Sequence, residues 1–144
     1  MSWKEFSENA PEISRYGRER LTNQVAYLGT VRADGSPRVH PVTPIISAER
    51  LFLFMEPTSP KGKDLERDGR YILHCGVEDN SGGAGEFYVR GSAVRTADRE
   101  LRQEAVAAAK YTPKDHYILF VLEVDFAFMN IYSSDAATVT RWKR

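Results

Sequence analysis

The chain of 144 residues is poor in several things, and each shortage closes off a class of protein. One cysteine, Cys75, leaves no partner for an intramolecular disulfide, and the three scattered histidines, His40, His74 and His116, cannot complete a Cys-rich zinc site. No two histidines have the short spacing of a metal-ligating pair, so no metal is expected. No apolar run approaches the ~20 residues that span a bilayer. Met1-Ser2-Trp3-Lys4-Glu5-Phe6 has none of the apolar character of a signal peptide. An excess of one charge is missing too, because 20 Lys and Arg balance 20 Asp and Glu. A dedicated nucleic-acid binder shows a strongly basic face. Neither nucleic acid nor membrane is therefore expected as a partner, and a cytoplasmic location is expected.

What is present is a globular composition. Hydrophobic residues at 42% and charged residues at 28% exclude a disordered, collagen-like or coiled-coil chain. The length fits one domain over residues 1–144, large enough for a core without staples. Residues 1–23 read as an N-terminal helical arm and 133–144 as a C-terminal closing strand.

Asn9-Ala10-Pro11-Glu12 predicts a helix start, with an early acid suited to the positive end of the helix dipole. That helix runs to about Leu21 and is weakened by Gly17. Val25 to Arg32 is rich in β-formers, Asp34-Gly35 signals a turn, and Arg38 to Ile46 is the partner strand of a hairpin. Pro37, Pro41 and Pro44 cannot donate to a ladder, which puts part of this strand at an edge. Leu51 to Met55 is a buried strand by its unbroken apolar run. Ser59 as N-cap with Pro60 at the first helical position then starts a short helix that Gly69 ends. Tyr71 to Val77 is strand, and Glu78 to Gly85 is a loop. Glu86 to Thr96 alternates, with Phe87, Val89, Gly91 and Ala93 on one face. Asp98 caps a helix to about Lys110. His116 to Asp125 and Phe126 to Tyr132 are two strands, Ser133 to Ala137 is a turn, and Thr138 to Lys143 is a last short strand. This order has no βαβ pattern. It predicts a mainly β, α+β fold: an antiparallel barrel of about six to eight strands.

Anion binding is the clearest chemical signal. Thr58, Ser59 and Lys61 gather at a helix start, where free N–H groups, the dipole, two hydroxyls and an ammonium all favour a phosphate. A Walker loop is excluded, because Pro57 and Asp64 stand where Gly and Ser/Thr are required. Gly82, Gly83 and Gly85 precede a strand rather than a helix, so they read as a hairpin loop and not a dinucleotide fingerprint. His74 and Cys75 are neighbours on a strand and point to opposite faces, which denies them a nucleophile–base pairing. Cys75 reads as a small core residue, and His40 shares a strand face with Arg38. No G-x-S-x-G elbow supports serine hydrolysis. Arg141-Trp142-Lys143-Arg144 reads either as a terminus with its Trp packed on the barrel, or as an aromatic and a guanidinium delivered to a planar anion.

Three blocks of the sequence resemble the pyridoxamine phosphate oxidase-like family. Tyr27-Leu28-Gly29-Thr30-Val31 with Asp34-Gly35-Ser36-Pro37-Arg38-Val39-His40-Pro41-Val42 looks like its first hairpin. Leu51 to Met55 followed by Ser59-Pro60-Lys61-Gly62-Lys63-Asp64-Leu65 resembles its strand and phosphate-binding helix start. Glu86-Phe87-Tyr88-Val89-Arg90-Gly91-Ser92-Ala93 is similar to its V-x-G-x-A strand. Together they cover about residues 24–125. The resemblance implies an FMN-binding split β-barrel, usually a homodimer with flavin at the interface. By matching position, Arg38, Ser59 and Lys61 hold the flavin phosphate, and Val39, His40, Pro41 and Val42 line the ring. Phe54 and Met55 add a strand-end contact, and Glu86 reaches the partner subunit's flavin. Arg141 and Trp142 close the pocket.

The chain also departs from the true oxidase, which has Arg where Pro60 stands, Lys at Thr43 and Gln at Glu86. Its C-terminal Arg-x-His substrate motif is missing, and Arg141-Trp142 resembles the ending of shorter actinobacterial-type relatives. The resemblance is thus to the family and not to pyridoxamine phosphate oxidase itself. It implies an FMN-dependent oxidoreductase acting on a small molecule with a nicotinamide or other electron donor. One alternative is a deazaflavin cofactor, its anionic tail met by Lys63, Arg67, Lys143 and Arg144. Another is a non-catalytic flavin or haem carrier with His40 or His74 as iron ligand.

Overall fold

Ser2 and Glu5 form a capping box, each side chain bonding the other's backbone N–H, and this starts the first helix of the N-terminal arm, α1 (Trp3–Asn9). Trp3 and Phe6 are both fully buried and meet edge to face at 5.2 Å. The computed structural model describes residues 1–79, 83–133 and 136–144. Gly82, and residues 134–135 of the expected final turn, lie outside the described residues. Pro11 begins α2 (Pro11–Leu21), as expected. Gly17 does not weaken this helix by accident. A Cβ there would lie 2.2 Å from Cζ of Phe87, so the glycine is what lets α2 lie on the sheet.

The strands are β1 (Ala26–Val31), β2 (Pro37–Val42), β3 (Ile45–Ile46), β4 (Leu51–Met55), β5 (Arg70–Cys75), β6 (Glu86–Thr96), β7 (Ile118–Tyr132) and β8 (Ala137–Lys143). Between them lie α3 (Pro60–Arg67) and α4 (Arg99–Ala108), capped by Ser59 and Asp98 as the sequence predicts. All pairings are antiparallel, in one eight-stranded sheet ordered β2-β1-β5-β6-β7-β4-β3 with β8 added on β7. The fold is therefore α+β and mainly β, a split barrel left open between β2 and β3. Leu28, Leu53, Leu73, Val89 and Phe120 converge on its main core.

Two strand expectations are corrected. Arg38 to Ile46 is not one strand: β2 stops at Val42, and after Pro44 the chain pairs as β3 with β4 instead of β1. The segments proposed for 116–125 and 126–132 are one continuous strand of 15 residues. Its first part lies between β4 and β6, its last between β6 and β8. A register shift at Arg90/Gly91 absorbs one extra residue of β7. No helix of the described residues is long and apolar enough to cross a membrane.

Candidate functional site

The end of β2, the end of β4 and the start of α3 meet around a cleft of about 400 Å³. Pro41 and Val42 form one wall, Phe54 and Met55 the floor strand, and Ser59 and Lys61 the helix start. Six of the residues selected from the sequence thus come together. Lys61 makes no ion pair among the described residues, and partial burial pushes its ammonium below the usual lysine range. An unpaired, desolvated cation at a helix N-terminus favours an anion. Ser59 is more committed than expected: its hydroxyl donates to the Glu56 carbonyl at 2.8 Å and accepts from the Gly62 N–H at 3.3 Å. Its first role is to build the helix start that carries Lys61.

Arg38, also on β2, does not line this cleft. Its Nε donates to Asp64 at 2.7 Å, and the same carboxylate accepts from Thr30 at 2.8 Å and from Arg67 at 3.1 Å. Burial opposes the charge on Asp64, and these hydrogen bonds outweigh it, so the carboxyl sits below its ordinary value. In the sequence Asp64 serves only to exclude a Walker loop and to extend the helix-start resemblance, with no sign of this anchoring role. It is 3% exposed and ties β1, β2 and α3 together. Arg32, Arg38, Thr58, Lys63 and Arg67 border a second cleft at the α3 start. Thr58 therefore lines a different cleft from Ser59 and Lys61. His40 lies on the Arg38 face of β2, where desolvation and the charges of Lys61 and Arg38 lower its pKa.

The remaining candidates lie elsewhere. Val39, 67% exposed, is on the opposite face of β2, the outer face of the sheet. Glu86 and Arg141 lie on that face too: Tyr132 donates to Glu86 at 3.3 Å, and the Arg141 guanidinium sits 5.5 Å from the Phe128 ring centre. Trp142 points the other way and packs on Phe6 at 4.9 Å. Within one chain, none of these four borders the cleft. His74 and Cys75 point apart as expected. Cys75 is buried, and His74 stacks on Tyr88 at 5.9 Å.

The sequence reading missed the rest of the cleft lining: Glu56, Tyr111 and Tyr117, with Thr43 noted only as a departure from the oxidase. Two tyrosines in the otherwise polar run Lys110-Tyr111-Thr112-Pro113-Lys114-Asp115-His116-Tyr117 were the available signal.

Fold and site together define a split-barrel protein with a basic, partly aromatic cleft at the opening of the barrel. Residues 18–128 match the family model described as pyridoxamine 5'-phosphate oxidase, and the chain belongs to that family. Among solved structures, a NimC/NimA family protein from Clostridium acetobutylicum is similar at 18% identity, covering 95% of this chain and 98% of that one, with a TM-score of 0.67. A heme-binding protein from Mycobacterium smegmatis is similar at 21% identity and a TM-score of 0.65, over 83% of this chain and 53% of that one. This chain thus spans about half of that protein's length. HutZ, the heme storage protein of Vibrio cholerae, is similar at 19% identity over 81% of this chain and 89% of that one, with a TM-score of 0.61. At these identities the likeness is one of fold. No curated protein matches the chain in sequence.

Proposed function

We propose that the chain is an FMN-dependent oxidoreductase of small molecules, working as a homodimer with a nicotinamide or other electron donor. The observation that supports this most is Lys61: a half-buried ammonium without a carboxylate partner, on a Ser59-capped helix, in a cleft walled by Pro41, Val42, Phe54 and Met55. These residues fit a phosphate joined to a flat apolar ring. Lys61 would hold the phosphate, with the Arg38 guanidinium adding positive potential beside it and His40, kept neutral by desolvation and the neighbouring cations, on the same face of β2 as Arg38. Pro41 and Val42 would lie along the ring. When bound, the flavin supplies the hydride chemistry, and the chain supplies anchoring and orientation.

The outer sheet face supports the dimer. Pro41, Tyr27, His74, Tyr88, Phe128 and Arg141 are in register across six strands. Tyr88 stacks on Phe128 at 5.0 Å and on Phe126 at 6.0 Å, yet Tyr27, Val39 and Ile72 stand exposed. A face this apolar calls for a partner. A second copy there would bring Glu86 and Arg141 toward the neighbouring subunit.

The decisive experiment is an absorption spectrum of the purified protein, before and after equilibration with FMN and desalting. Retained flavin bands support the reading. A colourless protein that retains no FMN refutes it and favours the deazaflavin, whose acidic tail would meet Lys63 and Arg67 in the second cleft. A Soret band favours the haem carrier, with His40, which has no hydrogen-bond partner among the described residues, as the iron ligand to mutate first.

A further inference from the structure

Residues 109–117 cross from α4 to β7 without regular structure and are tied down from three directions. Asn23, in the left-handed region at φ 55°, donates to the Ala108 carbonyl at 3.2 Å and accepts from the Lys110 N–H at 2.9 Å. Arg102 donates to the carbonyls of Tyr117 at 2.7 Å, Lys114 at 3.1 Å and Asp115 at 3.2 Å, and its guanidinium lies 5.0 Å from the Phe54 ring centre. His116 Nε2 bonds both Glu56 oxygens, at 2.8 and 2.9 Å. The ties come from the α2–β1 connection, from α4 and from the end of β4. What they hold in place is Tyr111 and Tyr117 against the cleft.

Lys61 answers to any compact anion, because a point charge reads charge and not shape. Tyrosine presents a large flat surface with few rotatable bonds, which suits a planar partner. Tyr111 is 38% exposed, so a ring laid against it removes apolar surface from water. We infer that the pinned segment is the ring-selecting wall of the cleft, with Tyr111 and Tyr117 touching the ligand and Arg102 and Asn23 as positioning residues. The cleft then selects a planar aromatic ring joined to an anion over an anion alone. This inference rests on the flavin reading of the cleft.

The test titrates the protein with FMN, with riboflavin (the ring without phosphate) and with inorganic phosphate, following calorimetry and the quenching of bound-flavin fluorescence. Tyr111→Ala should weaken FMN and riboflavin by the same factor, about tenfold, with less quenching and unchanged phosphate binding. Tyr111→Phe should retain both flavins. Tyr111→Leu keeps bulk without the ring, and its loss of quenching separates stacking from a folding defect. Arg102→Gln should shift the two flavin affinities together and reduce the quenching, a spectroscopic change that a purely structural role would not produce. Lys61→Ala should weaken FMN and leave riboflavin unchanged. Tyr111→Ala and Tyr117→Ala proteins with parental flavin affinity and quenching would overturn the ring-selecting wall alone, as would a loss of phosphate binding in Tyr111→Ala. A parent protein that binds neither flavin would overturn both this inference and the cofactor reading beneath it.

Discussion

Gly17 on α2 and Phe87 on β6 share one space, the ring of the phenylalanine lying where any side chain on the glycine would go. Gly17→Ala therefore sets two effects against each other. Alanine improves helix propensity by about 1 kcal/mol, while overpacking a filled core costs about 1–3 kcal/mol. The expected result is a net loss of up to about 2 kcal/mol in denaturant unfolding. A gain would mean that Phe87 moves aside without strain.

That pair shows where reading the sequence stopped. Gly17 is visible as a helix weakness, but its reason lies 70 positions away on another element. Local signals carried far: the Ser59 and Asp98 caps, the Asp34-Gly35 turn and the alternation of Glu86 to Thr96 all stand where the residues put them. Elements defined by distant partners were lost. β3 needs β4 beside it, and β7 reads as two strands because its neighbours change partway along. The same holds for the cleft. Pro41, Val42, Ser59 and Lys61 were legible from local chemistry and resemblance, whereas Tyr111 reaches the cleft through ties from Asn23 and Arg102 that no spacing rule contains.

Asp64 anchors the second prediction. Removing a partner from a buried ion pair costs about 3–5 kcal/mol, and Arg38, 22% exposed, places Asp64→Ala near the low end of that range. Because the folded carboxyl titrates below its ordinary value of 3.8, its contribution is complete above the unfolded value and fades as pH falls through the folded one. Unfolding measured at pH 7 and at pH 3 should show the gap between parent and variant narrowing in acid. A constant gap would remove the charge from the explanation.

Lys61 carries the third. Lys61→Ala should weaken FMN binding by about 1–3 kcal/mol, the range of a charged hydrogen bond. Bound phosphate stabilises the ammonium, so affinity is complete below the free lysine's pKa and declines as pH rises through it. Burial lowers that pKa, which moves the decline to a lower pH than an exposed lysine would give. An affinity flat from pH 7 to 10, together with an unaffected variant, would remove Lys61 from the phosphate site.

The outer sheet face supplies the fourth. Phe128→Asp places a carboxylate in the middle of the ladder between Tyr88 and Arg141. Light scattering should report a dimer for the parent and a monomer for the variant, with the same fold by circular dichroism. An unchanged mass would move the interface elsewhere.

The strands that end the sheet bear on how such association stops. β2 carries Pro37 and Pro41, β3 has two residues, and β8 ends in Arg141 and Lys143. Prolines, brevity and charge all discourage another chain from adding a strand. In the proposed dimer, self-association would use the face of the sheet, where two copies satisfy each other and the count closes, rather than its margins, where each addition would expose the next and build a fibre.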